Sequence, residues 1–246
     1  MAVGKLAGNA HAGEIVAAGC RGIFSFYQRR AGAELDREEL DEVLGMLTEN
    51  LQKIAHHGSR ADSIVKGMLL HSRGKAGTRV DTDVNALVEE YLNLAYHGMR
   101  AKDTTFNVSL ERDYAEELPL VPMVPQDVSR VFLNIISNAC YAANKKRESA
   151  GDDYSPTVTV TTRAAGEMIE VLISDNGTGI PKDIVDKVFN PFFTTNPPNE
   201  GTGLGLSITY DIVVEGHGGT LDLDTTEGEG TTFLIKLPIQ GLTANA

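Results

Sequence analysis

Asp175 closes the apolar run Val171-Leu-Ile-Ser and opens the segment Asp175-Asn-Gly177-Thr-Gly179-Ile. A carboxylate held there can accept a hydrogen bond from the exocyclic amine of adenine, and the glycines let a flat base approach the backbone. Asn134 and Asn138 lie four apart in Asn134-Ile-Ile-Ser-Asn138-Ala, so a helix puts both amides on one face. The helix is otherwise filled with apolar residues, and amides on a core-facing stripe are costly unless they find partners. Triphosphate oxygens and a hydrated magnesium ion, which takes oxygen ligands, are suitable partners; neighbouring backbone to be capped is another. Gly201-Thr202-Gly203-Leu204-Gly205-Leu precedes a helix with an apolar face, and amide donors exposed at such a start form a seat for phosphate. Phe189-Asn-Pro-Phe192-Phe193 comes shortly before. Its aromatic rings would anchor the base of a loop or pack as plain core, and both can hold at once. The short polar loop 194–200, with Pro197 and Pro198, is suited to be a lid over a triphosphate. Each signal is weak alone. In this order they predict a site for ATP and magnesium, built without a P-loop, since no G-x-x-x-x-G-K-[ST] run occurs.

The elements that would position these residues begin near residue 81. Helices are expected over 81–96, 125–147 and 204–214, and strands over 104–111, 157–162, 170–173, 220–223 and 231–237, with a turn at Gly166. They do not alternate as β-α-β crossovers. That predicts an α+β sandwich, one mixed sheet with helices on one face.

Residues before about 75 read as all helix, without proline and with one interruption at 31–35. Asp36 with Glu39 resembles a helix start. From there Leu40, Leu44, Leu47, Leu51, Ile54, Gly58, Ala61, Val65 and Met68 recur in steps of four and three, a heptad seam. One preceding helix, 9–29, cannot bury so long a stripe. A helical hairpin that pairs with a second copy into a dimeric four-helix bundle would; an appendage lying on the second domain is the other solution. The expected domains are 1–76 and 77–240.

Composition bounds the rest. The 246 residues carry a formal net charge of −12, which disfavours nucleic acid as a partner. Cys20 and Cys140 read as reduced thiols. No run reaches the roughly 18 apolar residues of a membrane span. A cytoplasmic protein with no membrane segment in this chain is expected.

The order and spacing of the four segments resemble the N, G1, F and G2 boxes of the GHKL superfamily, whose ATP-binding fold is the Bergerat sandwich. In detail they resemble bacterial sensor histidine kinases, and segment 50–73 is similar to the second helix of their dimerisation and phosphotransfer domain. The resemblance implies a histidine kinase of a two-component system. It would phosphorylate itself on histidine, work as a homodimer through the N-terminal helices, and pass phosphate to an aspartate of a response-regulator receiver domain. It implies nucleotide contacts at Asn134, Asn138, Asp175, Gly177, Gly179, Phe193, Gly201, Thr202, Gly203, Leu204, Gly205 and Thr231. Asn138 would be the magnesium ligand, and Thr231 would assist Asp175. Hydrolysing members of the superfamily place a glutamate where this chain has Asn134, and an amide cannot take a proton from water.

The pattern breaks at the phosphoacceptor. The first helix offers His11, followed by Ala12 rather than an acid, with Glu14 three positions on and no proline after it. His56 and His57 fall in the second-helix pattern. His71, His97 and His217 have bland readings. Two other functions therefore stay open: a nucleotide-binding scaffold with degenerate autokinase activity, and a serine kinase of the anti-sigma type.

Overall fold

The computed structural model describes residues 44–51, 53, 58, 77–151, 153–196 and 201–240. The chain forms two compact units, Met1–Gly58 and Ser59–Ala246.

In the first unit residues 44–51 are helical. Leu44, Leu47 and Leu51, spaced as the heptad seam requires, are exposed, as is Met46. Glu49 and Lys53 form an i,i+4 ion pair at 3.7 Å. The first helix with His11, the turn at 31–35 and the rest of the seam except Gly58 lie outside the described residues, as does the stretch 59–76.

The second unit begins with β1 (Val80–Thr82). It continues through α1 (Val84–Lys102), β2 (Ser109–Tyr114), β3 (Val121–Met123), α2 (Pro125–Lys146), β4 (Thr157–Ala165) and β5 (Met168–Asp175). A single 3-10 turn at Val185–Lys187 precedes α3 (Gly205–Tyr210), which runs into a π-helical turn at Asp211–Gly216. β6 (Thr220–Thr226) and β7 (Gly230–Pro238) close the unit. Asp83 caps α1 by accepting from the Ala86 amide at 3.1 Å. Pro122 and its neighbours pair antiparallel with β1 in a separate two-stranded sheet. That pairing starts α1 later than expected, because residues 80–82 are a strand.

The main sheet has the order β2-β4-β5-β7-β6. Only β2 and β4 run parallel, joined through α2. One crossover therefore exists where none was expected, inside a sheet that is otherwise antiparallel.

Alternation along the strands sorts the two faces. Val160, Ile173 and Phe233 stand side by side in register and are buried. So do Val171, Ile235 and Leu221. They form one core with the apolar stripes of the helices: Val84, Val88, Leu92 and Ala95 from α1, and Val128, Val131, Phe132, Ile135, Ile136 and Ala139 from α2. The opposite face carries the cross-strand row Arg163, Glu170, Lys236. There Glu170 receives Arg163 Nε at 2.6 Å and Lys236 Nζ at 3.3 Å.

Candidate functional site

The inward row nearest the end of β5 is polar. Asp175 stands opposite Thr231, and Thr231 opposite Thr225. Strand periodicity thus aims the Asp175 carboxylate to the same side as Ile173 and Phe233, under the helices. Its Oδ1 accepts from the Gly177 amide at 2.8 Å. Burial pushes its pKa up to about 6, against the opposing pull of the Gly177 and Thr231 amides and of Lys146. Burial also pushes the Cys140 thiol up to about 12, and the Asp175 charge adds to it. The Thr231 hydroxyl pairs with Thr225 at 3.0 Å, so its help to Asp175 comes from the backbone.

The turn after Asp175 is fixed by Asn176. Its Oδ1 accepts from the Thr157 amide at 2.9 Å and from Tyr154 Oη at 2.9 Å. Its Nδ2 donates to the Ser155 carbonyl at 2.8 Å, and Lys146 Nζ donates to the Asn176 carbonyl at 2.8 Å. Gly177 is buried against α2: a Cβ there would lie 2.5 Å from the Ala142 carbonyl carbon.

The asparagines do not sit on the buried stripe of α2, as was expected. Asn134 is half-buried and Asn138 exposed, at the rim beside the apolar face. Asn134 Nδ2 donates to the Gly205 carbonyl at 3.1 Å and approaches Thr209 Oγ1 at 3.4 Å. α2 is thereby tied to the first turn of α3. Phe192, exposed and with φ at 68°, donates its amide to the Gly203 carbonyl at 2.8 Å. Gly203 also has φ at 68°, a conformation that favours glycine. This bond joins the two ends of the loop that starts at Phe193. Phe192 is thus a backbone anchor rather than core packing, whereas Phe189 packs at 5.9 Å from the Tyr210 ring.

These pieces enclose a cavity of about 710 Å³, within the roughly 300–1,000 Å³ range of ligand sites. Asn134, Asn138, Asp175, Gly179, Phe193, Gly201, Thr202, Gly203, Gly205 and Thr231 all line it. Gly177 and Leu204 do not; both are buried behind the wall. Tyr141, Lys145, Thr178, Ile180 and Ile184 line it too and were not anticipated. Spacing could have found two of them, since Tyr141 and Lys145 follow Asn138 by three and seven positions on one helical face.

Among the described residues no group of three or more His, Cys, Asp or Glu could hold a metal ion. The oxygen donors on the cavity wall are mainly amides and hydroxyls, with Asn134 Nδ2 already committed and its Oδ1 left as acceptor. So sparse a set fits magnesium, which keeps several waters and takes other ligands from phosphate. His11, His56, His57 and His71 lie outside the described residues. His97 is exposed. His217 is buried, its Nε2 accepting from the Val124 amide at 3.1 Å and its Nδ1 lying 2.8 Å from the Ile212 carbonyl. Desolvation holds its pKa below the usual histidine value.

Comparison with known proteins agrees with this geometry. Residues 123–241 match the family described as Histidine kinase-, DNA gyrase B-, and HSP90-like ATPase. The chain is a relative of the sensor histidine kinases and carries their GHKL-type α+β domain. It is 28% identical over 240 residues to the sensor histidine kinase ZraS of Escherichia coli, covering 97% of this chain and 46% of that protein. It is 31% identical over 209 residues to the sensor protein kinase WalK of Staphylococcus aureus, covering 83% and 43%. It therefore spans less than half the length of these relatives. The catalytic domain of histidine kinase ThkA superposes with a TM-score of 0.54 at 25% identity, covering 66% of this chain and 96% of that one. No helix among the described residues is long and apolar enough to cross a membrane.

Proposed function

We propose that this chain is the kinase portion of a two-component histidine kinase, using ATP and magnesium to phosphorylate a histidine and passing the phosphoryl group to a response-regulator aspartate. The observation that carries this reading is the half-buried Asp175 carboxylate, fixed at one end of a cavity whose other walls are Asn134, Asn138 and the 201–205 segment. The carboxylate receives the adenine amine, while the Gly177 and Thr231 amides keep it oriented. Glycine-rich backbone at 201–203 faces the phosphates. Asn138, with Asn134 beside it, holds magnesium, which neutralises phosphate charge. Asn134 positions α3 through Gly205, and as an amide it cannot activate water. The triphosphate is thereby spared for an acceptor that supplies its own lone pair. The imidazole nitrogen attacks the γ-phosphorus, ADP leaves, and the receiver carboxylate later displaces the histidine.

His11 is the proposed acceptor in an N-terminal domain, 1–76, that dimerises; the exposed Leu44, Leu47 and Leu51 support an uncovered seam in the single chain. Residues 77–240 form the catalytic domain, and the reaction takes place in the cytoplasm, where ATP and receiver meet.

Incubation with γ-labelled ATP tests the reading. Weak, acid-labile labelling is expected, because no adjacent carboxylate supports His11 and positioned proton transfer contributes about 10²–10⁴-fold. The label should vanish in His11→Gln, with nucleotide binding intact. Acid-stable label would instead indicate serine, and no label a scaffold.

A further inference from the structure

Lys146 stands behind the Asp175 turn rather than in the cavity. It is half-buried and does not line the cavity. It follows by one helical turn Ala142, the residue on which Gly177 presses. Its ammonium is held by groups that leave its charge uncancelled. Nζ donates to the Asn176 carbonyl at 2.8 Å and stands 4.9 Å from the centre of the Tyr154 ring, within the ~6 Å reach of a cation–π contact. Among the described residues it has no carboxylate partner. Tyr154 is itself fixed, its Oη donating to Asn176 Oδ1 at 2.9 Å with the Ala143 carbonyl 3.0 Å away. Ring and ammonium thus brace the same residue, the one that follows Asp175.

The other groups around Asp175 bring no positive charge. Burial, and after it the Asp175 charge, push the hydroxyl of Tyr154 and the thiol of Cys140 up, so both keep their protons. The turn and β7 supply the Gly177 and Thr231 amides. Glu227 and Glu229, in the hairpin between β6 and β7, are exposed. Of the three basic residues that close α2, Lys146 is the one whose charge acts on Asp175. Arg147 is turned to the Thr105 carbonyl at 3.0 Å, and Lys145 Nζ lies 5.7 Å from the Tyr141 ring centre.

We infer that Lys146, braced by Tyr154, is the counter-ion of the base-reading carboxylate and, through it, a positioning residue of the nucleotide site. This rests on the proposed nucleotide reading of the cavity and deepens its base end. Without the cation, burial would act on Asp175 unopposed by charge, and the carboxyl would keep its proton to higher pH. If Lys146 merely fastened the turn, its loss would weaken binding alike at every pH.

Calorimetry on the whole chain with adenosine, which carries no phosphate, separates these outcomes between about pH 5 and 9. Affinity in the parent should fall as pH drops through about 6, where Asp175 takes up its proton. In Lys146→Met the midpoint should move up. Affinity should then drop on the order of fivefold around that midpoint, the scale of one charge at a half-buried site, and return to the parent's value at alkaline pH. Lys146→Arg should keep the parent's midpoint. Added to Asp175→Asn, Lys146→Met should change nothing further. Should Lys146→Met fail to fold, Tyr154→Leu, which removes the ring under the ammonium, should move the midpoint up by a smaller amount, and an unmoved midpoint there would overturn the inference. Lys146→Met affinity that is unchanged, or lower by one factor at every pH, would also overturn it while leaving the nucleotide reading standing. A parent that binds neither adenosine nor ATP would overturn the nucleotide reading itself, and this inference with it.

Discussion

The turn that carries Asp175 and the described stretches 193–196 and 201–203 border the same cavity, yet unlike forces hold them. Asn176 spends both atoms of its side-chain amide on backbone or on Tyr154, and Gly177 presses directly on α2. Among the described residues of the loop, the Phe192 amide bonded to the Gly203 carbonyl ties its two ends. Inside it are local bonds such as the Asn196 amide to Thr194 Oγ1 at 3.1 Å. A preformed base end costs little ordering when ligand arrives. Under the proposed function, base recognition falls to the first of these stretches and phosphate contact to the second.

The sharpest break in this comparison is Gly177→Ala. Its Cβ would meet α2 backbone, which cannot yield, so the domain should lose about 3 kcal/mol, the upper end of overpacking costs, measured by urea unfolding. Asp175→Asn comes next. It should weaken ATP by about 2 kcal/mol in calorimetry while leaving the nucleotide-free domain at least as stable, because a desolvated charge is gone.

The raised pKa of Asp175 gives the third test, with two opposite signs. Without nucleotide the folded carboxyl holds its proton up to about pH 6, above its ordinary 3.8. Its charge therefore opposes folding above pH 6, and that cost is relieved as pH falls through this window. Nucleotide affinity, which uses the carboxylate, should fall over the same window. Asp175→Asn should flatten both profiles. Asn138→Ala should cost about 1 kcal/mol of ATP affinity with magnesium present, and less with chelator; equal losses would remove Asn138 as a metal ligand. Smallest of all should be Gly201→Ala. Its nearest neighbour would be Thr194 Oγ1 at 3.0 Å, a side-chain tip that can give by a few tenths of an ångström and keep its bond from the Asn196 amide, so stability should change by less than about 0.5 kcal/mol.

The parts legible in sequence are those with a period or a breaker. The buried stripe of α2 and the alternation of β4, β5 and β7 are both written as apolar spacing. β1 and β3 were missed because three residues show no period, and Pro122 argues against a strand. The parallel pairing of β2 with β4 joins strands far apart in sequence, which local patterns do not encode. The asparagines were placed too deep because spacing gives a face but not where that face meets a cavity edge. Asn176 was read as a turn residue but its bonding was not legible: its side chain holds residues of the preceding loop, brought near by the pairing of β4 with β5. The positive φ of Phe192 accompanies a bond to Gly203, eleven positions on, which no local pattern announces.

The two hydrogen bonds of His217 remove one candidate acceptor for the proposed phosphoryl transfer. A phosphoramidate forms only at a ring nitrogen with an accessible lone pair. The Val124 amide occupies Nε2, and Nδ1 faces the Ile212 carbonyl, with the ring buried. In a peptide map of the labelled protein, the fragment spanning residue 217 should therefore stay blank. Any phosphohistidine signal must be sought in peptides holding the other five histidines.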